Sequence, residues 1–590
     1  MPAAETSNQA VAAILRGIGE YLAMQDVPFK PRAYEKAALA IDGLEEEVAA
    51  AYRKGGVKAL EAIPGVGASI AEKIGEFVTT GRIKYYEELK RKTPVDLSEL
   101  SRIEGLGPKS VKKLYQKLGV RTIDELERAA KSGKIAGIEG FGEKSEEKIL
   151  KSIGFAKQSA TGGAGGGQRF ILGYAMPQIR DIQERLAAVP GAQRVTIAGS
   201  ARRRRDTIGD ADLLAVSKQP DAIMEAFVST PGVVSVIAHG ATKSSIKLRS
   251  GLNVDLRVVA PESYGAALNY FTGSKDHNVA LRRIAVAKGW KLNEYGLFKA
   301  GTGATGGEQR IAGRTEEEIY RAFGMDYIEP ELRENTGEIE AARRHALPKL
   351  VGYSDLQGDL QVQTDWTDGA ESIESMARQA AARGLSYIAI TDHTKRLAMT
   401  HGLDEKRIVK QWAEIDRVQK KLRGKITILK GTECDILKDG SLDLPDEILA
   451  KLDVTGVSVH SHFTLPRTEQ TARVLRAIGN PHVDILFHPT GRIINRREAI
   501  DLDMEAIIAE ARRTKTVLEI NAFPERSDLR DEYVRQCTAA GVKLSIDSDA
   551  HHSRHYDHLE YGIAQARRGW AEKKDIINTR SADAMLRCLK

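Results

Sequence analysis

Six apolar segments from residue 385 onward constrain the possible fold more than any other feature of this sequence. Amphipathic helical patterns separate them, and this alternation predicts parallel strands, closed into a barrel. All but the fifth segment have His, Glu or Asp as their last or next-to-last residue, and the C-terminal ends of barrel strands are where catalytic side chains gather. The six segments are L-S-Y-I-A-I-T-D-H, K-I-T-I-L-K-G-T-E-C-D, V-T-G-V-S-V-H-S-H, V-D-I-L-F-H-P, T-V-L-E-I-N-A-F and V-K-L-S-I-D-S-D-A-H.

The residues at these strand ends are candidate metal ligands. Ten of the 13 histidines lie beyond residue 390, whereas the three cysteines are far apart and form no C-x-x-C pair. A disulfide framework or a thiolate zinc site is therefore not expected. A lone histidine at a strand end is usually structural, but several in register predict a polynuclear metal site. The candidate ligands are His393, Glu433, His460, His488, Asp549 and His551.

A second acidic cluster lies in R-V-T-I-A-G-S-A-R-R-R-R-D-T-I-G-D-A-D-L-L-A-V (194–216), which predicts a strand, a Gly-Ser turn and another strand. Asp210 and Asp212 are two residues apart, so both project from one face of a strand. Asp255 lies in another alternating strand and completes a candidate site for Mg²⁺ or Mn²⁺, which prefer oxygen ligands. D-x-D alone is more often a solvated turn. Gly199, Ser200 and Arg203 are candidate triphosphate contacts, and the run 202–205 either adds phosphate affinity or is a solvated turn.

The N-terminal region contains a repeat of G-hydrophobic-G followed by an amphipathic helix, at 62–74, 102–114 and 137–149. Glycines permit a tight turn, and the next helix begins with free N–H groups that can hold a DNA phosphate without reading sequence. Three plain helix-to-helix turns are the alternative. The repeat favours DNA-backbone binding, with Gly65, Gly67, Gly105, Gly107, Gly140 and Gly142 at the turns.

Length and composition bound the remaining possibilities. At about 150 residues per domain, 590 residues suggest about four domains. The 42% hydrophobic and 29% charged content is that of a globular chain, and the net charge of +7 permits a polyanionic partner without establishing one. There is no apolar run near the ~18 residues of a membrane span and no signal peptide, so we expect a cytoplasmic protein.

The spacing G-S-x-R-R-x5-G-D-x-D followed by V-D-L resembles the family X DNA polymerases, as do Y-F-T-G-S-K-D-H-N-V-A-L-R (270–282) and N-E-Y-G-L (293–297). The resemblance implies that Asp210, Asp212 and Asp255 are catalytic metal ligands. It also implies a thumb in which Tyr270, Phe271 and Gly273 pack against the sugar of the incoming nucleotide. Asp276 and Asn278 would contact the base, and Arg282 the template.

The resemblance extends to P-F-K-P-R-A-Y-E-K-A-A (28–38) and P-G-V-G-A-S-I-A-E-K-I (64–74), which look like the domain that grips the 5′-phosphate of a gap. It implies DNA contacts by Tyr34 and Lys73. In lyase-active relatives a lysine at the position of Lys73 forms a Schiff base with an abasic sugar. Ser69 stands where some relatives have another lysine, so we interpret Lys73 as a phosphate contact.

The C-terminal region resembles the PHP (polymerase and histidinol phosphatase) family, and a family X polymerase followed by PHP is the usual bacterial arrangement. Where that family has D-L-H-x-H-T, this sequence has D-L-Q-V-Q-T (359–364), which places Gln361 and Gln363 at two expected histidine ligands. An amide oxygen is a far weaker ligand for Zn²⁺ or Mn²⁺. We therefore expect reduced occupancy, with Asp368 as a further ligand. The domain is either a weakened phosphodiesterase or a degenerate scaffold.

Together these features predict a multidomain α+β protein: a helical helix-hairpin-helix region, a nucleotidyltransferase palm and thumb, and a distorted TIM-like PHP barrel. The expected activity is gap filling in DNA repair on gapped or primed DNA with deoxynucleoside triphosphates, by a monomer, plus a weakened 3′→5′ exonuclease. A PHP nuclease as the main activity and a gap-binding scaffold are the alternatives. The expected ranges are 1–158 (helix-hairpin-helix), 159–167 (flexible linker), 168–260 (palm), 261–330 (thumb), 331–350 (linker) and 351–590 (PHP).

Overall fold

The structure is a computed structural model. It describes residues 8–42, 44, 47–63, 65–101, 103, 106–143, 145–147, 149–150, 152–153, 169–299, 308–397 and 400–590. The linker expected at 159–167 and the turn glycine Gly105 lie outside these ranges. Within them, no helix is long and apolar enough to cross a membrane.

The N-terminal region is helical, as the repeat predicts. Gly65 has a φ of +83°, a conformation that favours glycine, and Gly67 and Gly107 each stand at the N-cap of the helix that follows. The apolar faces of the helices share one core. The helices are Asn8–Met24, Lys30–Asp42, Val48–Glu61, Ala68–Thr80, Lys84–Lys92, Leu97–Leu100, Pro108–Leu118 and Ile123–Lys131.

The palm is a five-stranded sheet in the order β2-β4-β7-β6-β5, with β4 and β7 parallel and the other neighbours antiparallel. Helices Leu172–Ala187 and Pro220–Val228 cover its apolar face, and β1 (Phe170–Ile171) pairs with β3 (Thr207–Ile208) beside it. The sheet strands are β2 (Ala192–Ile197), β4 (Asp210–Ser217), β5 (Val233–His239), β6 (Lys243–Leu248) and β7 (Asn253–Val258), and the turn Gly199–Arg202 is a short helix.

The thumb follows the palm and packs helices against a small antiparallel sheet. Its helices are Tyr264–Thr272, Lys275–Ala287 and Glu316–Phe323, and its strands are β8 (Trp290–Asn293), β9 (Gly296–Lys299) and β10 (Gln309–Ala312). The hydroxyl of Ser274 caps helix Lys275–Ala287 by accepting a hydrogen bond from the amide of His277 at 3.2 Å.

Segment 331–350, which the sequence predicts as a linker, is an ordered part of the thumb. Arg333 is fully buried and donates to Glu316 at 2.5 Å, and Glu338 of helix Glu338–Arg343 meets Nδ1 of His277 at 2.6 Å. Charged residues gave this segment the pattern of a linker, but Arg333 and Glu338 have their partners on the thumb. A buried charge without an opposite partner would be strongly destabilising, so these pairs fix the segment against the thumb.

The C-terminal domain is a seven-stranded, fully parallel sheet in chain order, β11 to β17, wrapped by helices. A parallel bridge between Val362 and Ala550 joins the first strand to the segment after the last, so the sheet is nearly closed. The six strands predicted from the sequence are all present. The strands are β11 (Gly358–Val362), β12 (Tyr387–Ile390), β13 (Thr427–Asp435), β14 (Val454–Ser458), β15 (Ile485–Leu486), β16 (Val517–Asn521) and β17 (Leu544–Asp547).

Helices connect the barrel strands and cover the outside of the barrel. Parallel neighbours require such crossovers, which bury both faces of the strands and explain their continuous apolar runs. The helices are Ile373–Ala382, Glu405–Lys421, Asp446–Leu449, Arg467–Ile478, Met504–Thr514, Asp531–Ala540, Leu559–Arg568 and Ala582–Leu586.

Candidate active sites

Three carboxylates meet on one face of the palm sheet. Asp210 and Asp212 lie on β4, and the register pairs Asp212 directly with Asp255 on the parallel neighbour β7. Strand period places Asp210 on the same face as Asp212. The carboxylates predicted from the sequence are therefore neighbours at the ends of two adjacent strands.

The carboxylates of this palm site repel one another. Burial, followed by the charges of Asp210 and Asp255, raises the pKa of Asp212 to about 7. Burial and the charge of Asp255 also raise the pKa of Asp210. Lys243 on β6 balances part of the charge, with its Nζ 3.1 Å from Oδ2 of Asp255. This donor set fits a divalent cation, which would relieve the repulsion.

The Gly-Ser turn passes directly beside these acids. Gly199 has a φ of +62°, and a Cβ at this position would lie 2.4 Å from Oδ2 of Asp212. Only glycine fits there, because any side chain would collide with this carboxylate, so the backbone of the turn lies directly against Asp212. Ser200 is half-buried beside it.

The Tyr-Phe-Thr-Gly motif ends helix Tyr264–Thr272. Tyr270 and Phe271 make an edge-to-face pair with centroids 5.1 Å apart, and Asn278 Nδ2 donates to the carbonyl of Tyr270 at 2.7 Å. Gly273, which follows the helix, has a φ of +71°. Asp276 is exposed on the next helix. Arg282 is exposed further along that helix. The motif also packs against the palm, since the guanidinium of Arg257 lies 4.5 Å from the ring centre of Phe271; the nucleotide contacts stay a prediction.

The first two arginines of the run after the turn have protein partners. Arg202 donates two hydrogen bonds to Glu316, and Arg203 donates to the carbonyl of Thr272 at 2.5 Å and to Glu334 at 3.1 Å. Arg203 thus joins palm to thumb, and its contact with a triphosphate stays a prediction. Sequence reasoning missed this because both carboxylates lie more than 100 residues away along the chain.

Two predicted DNA contacts in the N-terminal region differ in their surroundings. The Tyr34 side chain is only 6% exposed and packs in the helical core, so the prediction of a DNA contact there is not supported. Lys73 is on the surface, and its Nζ donates to both the carbonyl and the hydroxyl of Ser69 at 2.9 Å. Its ammonium also lies 5.2 Å from the ring centre of Tyr85. Burial lowers its pKa.

The glycine turns of the repeat are at the surface. A Cβ added at Gly67, Gly107 or Gly142 would meet no atom within 4 Å, so the backbone at these turns is open to a ligand. Gly140 has a φ of +91° and lies near the ammonium of Lys113. Open turns with a nearby cation suit a phosphate.

In the barrel, two groups of three side chains could each hold a metal ion. In each group the ligand atoms lie within 4.8 Å of one another, and His393 belongs to both. Its Nε2 is 3.6 Å from Asp368 and its Nδ1 is 3.5 Å from Glu433. The groups are Asp368, His393 and His551, and His393, Glu433 and His460.

A neutral imidazole has one free nitrogen lone pair, so His393 can ligate only one of two ions. His488 can take its place in the second group, since its Nε2 is 2.7 Å from Oε1 of Glu433. His460 Nε2 is 3.1 Å from the same oxygen. The barrel therefore contains donors for two ions at this end.

The end of the barrel site near β11 is different. Gln363 donates to Glu433 at 2.8 Å, and Gln361 accepts from Asn521 at 3.0 Å. Oδ2 of Asp549, predicted as a ligand, lies 3.2 Å from Nε of the Arg526 guanidinium, and its role as a ligand stays a prediction. Amides and a guanidinium do not suit a third cation here. Asn521, which ends β16, and Arg526 were not among the residues predicted from the sequence.

The carboxylates of the two ligand groups in the barrel favour positive charge on the histidines beside them. Burial opposes protonation of His551, yet Asp368 and Asp549 raise its pKa to about 10. Burial also opposes protonation of His460, yet Asp435 and Glu433 raise its pKa to about 9. The carboxylates thus create a negative potential that these protons only partly compensate, and a divalent cation suits it.

Comparison with known proteins identifies the domains. The DNA polymerase beta thumb matches residues 267–334, and the PHP domain matches 359–578. A helix-hairpin-helix domain matches 6–83, and a SAM-like helix-hairpin-helix tandem matches 97–154. The DNA polymerase/3'-5' exonuclease PolX of Bacillus subtilis (strain 168) is 37% identical over 571 residues, which is 96% of each chain.

The chain belongs to the family X DNA polymerases that carry a PHP domain. Both family resemblances and the predicted fold class are confirmed. The chain is also similar to probable phosphatases. One from Acetivibrio thermocellus is 30% identical over 188 residues, covering 30% of this chain and 73% of that protein. One from Thermoanaerobacter sp. (strain X514) is 29% identical over 220 residues, covering 35% and 84%.

Proposed function

We propose that this family X polymerase fills short gaps during DNA repair, with Asp210, Asp212 and Asp255 holding two Mg²⁺ or Mn²⁺ ions. The observation that carries the proposal is the register of β4 and β7, which sets Asp212 opposite Asp255 beside the turn at Gly199. These carboxylates would hold the ions, and ions bound there would supply activation of the primer 3′-hydroxyl and charge stabilisation at the α-phosphate.

The chain itself would bind and orient the reactants. The Gly199–Ser200 turn lies beside the carboxylates and would donate N–H groups to a triphosphate. Tyr270 and Phe271 would offer an aromatic wall for the sugar of the incoming nucleotide. These contacts place the α-phosphate near the three acids, and that placement is a large part of nucleotidyl-transfer catalysis.

DNA would be held through its backbone by the helix-hairpin-helix turns. Gly67, Gly107 and Gly142 leave the N-termini of the following helices accessible. Lys73 on the first of these helices would serve as a phosphate contact. The substrates are gapped or primed DNA and deoxynucleoside triphosphates, used by a monomer in the cytoplasm.

The test is nucleotide incorporation on a one-nucleotide gap with Mg²⁺ or Mn²⁺. We expect extension by the wild-type chain and none by Asp210→Ala with Asp212→Ala. Asp181→Ala is a matched control, because Asp181 is an exposed palm acid that pairs only locally with Arg185. No extension by the wild type, or unchanged extension by the double variant, would refute the proposal.

The barrel geometry supports a second activity, a weakened metal-dependent 3′→5′ exonuclease. Two ligand groups built on Asp368, His393, Glu433, His460 and His551 persist, whereas Gln361 and Gln363 close the third position. Mn²⁺ or Zn²⁺ would bind at no more than two positions.

This second activity is tested by removal of 3′-terminal nucleotides from primed DNA with Mn²⁺. His460→Ala with His488→Ala should abolish it and leave gap filling intact. Nuclease activity that survives this double variant would contradict a barrel exonuclease. Tight binding to gapped duplex with neither activity would favour the scaffold alternative instead.

A further inference from the structure

One helix of the PHP domain reaches the polymerase site. Helix Leu559–Arg568 packs closely on the barrel, since a Cβ at Gly562 would lie 2.6 Å from Ile546 and 2.8 Å from Ala522. Both ends of this helix contact the palm. Glu560 accepts two hydrogen bonds from Arg180, at 2.8 and 2.5 Å.

Arg568, at the other end of this helix, makes three contacts in three different places. Its Nη1 donates to the backbone carbonyl of Arg203 at 3.0 Å and to Glu334 at 3.0 Å, and its Nη2 donates to Asp531 at 2.5 Å. The side chain is 2% exposed. The guanidinium thus joins palm, thumb and barrel, and its planar fork suits such divergent partners.

These contacts end at the proposed nucleotide site. The Arg203 amide donates back to the carbonyl of Gly199 at 3.2 Å, so Arg203 closes the turn beside Asp212. The Arg203 side chain holds the carbonyl of Thr272, next to Gly273 of the thumb motif. Glu334 binds both Arg203 and Arg568. Arg568 therefore holds the residue that links the two nucleotide-contact motifs.

A second barrel arginine supports the other side of the same turn. Arg492 is 4% exposed, and its Nη1 donates to Asp206 at 3.1 Å. The Asp206 carbonyl accepts a hydrogen bond from the Leu172 amide at 2.9 Å. Asp206 directly precedes β3, which is followed by Asp210. The segment 199–210 is thus held from the barrel at two points, Arg203 and Asp206.

We propose that Arg568 is a positioning residue of the polymerase site, through which the docked PHP domain fixes the nucleotide-binding turn against the thumb. This inference rests on the proposed polymerase function. It gives the barrel a role in nucleotide binding that is independent of its own metal ligands. The arginine run at 202–205 is then the palm side of this joint.

The test is steady-state gap filling by full-length Arg568→Lys, in which lysine keeps the charge but cannot serve three divergent acceptors at once. We expect kcat/KM for the nucleotide to fall on the order of 10²-fold, mostly through KM, because a turn displaced by about 1 Å loses its alignment. Asp531→Asn leaves Arg568 in place and keeps an acceptor but removes the charge of its partner on the neighbouring barrel helix, so it should give a smaller change in the same direction.

Arg473→Lys is the matched control. Arg473 is as deeply buried in the barrel, but the partners it has among the described residues all lie in the barrel, including the carbonyls of Leu437 and Ser461. It should destabilise the barrel and leave the nucleotide KM unchanged. Amide hydrogen exchange at 199–206 should accelerate in Arg568→Lys but not in Arg473→Lys, a readout that requires no activity.

Unchanged KM and unchanged exchange in Arg568→Lys would overturn the inference, as would an equal rise in KM in Arg473→Lys. If Arg568→Lys fails to fold, the same two readouts in Asp531→Asn decide. Failure of the proposed function is distinguishable, because the wild type itself would then not extend a gap.

Discussion

The palm site and the barrel site place their candidate ligands on parallel strands in different ways. The palm takes three carboxylates from two adjacent strands, β4 and β7. The barrel draws its ligands from the ends of five strands and one loop, including His393, Glu433 and His551. A compact site has no ligand to spare, whereas a distributed site can lose one end and keep the rest. Gln361 and Gln363 occupy such a lost end.

The largest expected effect is in the compact site. Asp212→Asn keeps the shape of the side chain but removes a charge at its centre, so gap filling should fall by about 10³-fold or more. Exonuclease activity on the same preparation should not change. The measurement is single-turnover incorporation beside a nuclease assay. A loss of less than tenfold would break the comparison, because the palm would then tolerate the loss of a ligand.

In the barrel, a large effect is expected at His393, which can ligate one of the two ions and lies near Asp368 and Glu433. His393→Ala should lower exonuclease activity by about 10²-fold and reduce bound Mn²⁺, with gap filling unchanged. His482→Ala serves as the control, since His482 lies outside both ligand groups. Wild-type Mn²⁺ content in His393→Ala would show that these groups do not bind the metal.

Restoring the lost end should have a moderate effect. Gln361→His with Gln363→His supplies two imidazoles in place of amides, and we expect one additional Mn²⁺ per chain and about a tenfold gain in exonuclease activity. Arg526 holds Asp549 nearby, so Arg526→Ala in this background should strengthen metal binding further. No additional ion in either background would mean that the difference between the sites lies elsewhere.

The smallest effect concerns the lysine beside the palm carboxylates. Lys243 competes with a cation for Asp255 across a partly exposed contact, an interaction typically worth about 0.2–1 kcal/mol. Lys243→Ala should therefore lower the Mg²⁺ concentration for half-maximal gap filling by about two- to fivefold. Lys247→Ala, an exposed lysine on the same strand, should leave it unchanged. A raised Mg²⁺ requirement in Lys243→Ala would reverse the assigned role.

Features with local periodicity were predictable from the sequence. The six barrel strands and the shared face of Asp210 and Asp212 follow from strand patterns. Family motifs located the thumb and the substituted glutamines. The sequence predicted parallel strands in the barrel but not which residues pair, because helices of variable length separate these strands.

Features that depend on distant partners were not predictable. The arginine run has the composition of a phosphate-binding turn, but its partners Glu316, Glu334 and Glu560 come from the thumb and the barrel. Tyr34 lies in a motif for DNA contact, yet the packing of the first helices buries it. The partners and the burial of these side chains depend on tertiary packing, and no local sequence pattern carries that information.

The number of Mn²⁺ ions bound per chain tests the central contrast most directly. It should be measured on Asp210→Ala with Asp212→Ala, where the palm site is disabled and only the barrel ligands remain. The account predicts no more than two ions, held by the groups around His393 and Glu433, and one more after Gln361→His with Gln363→His. Three ions in the barrel with both glutamines present would contradict it.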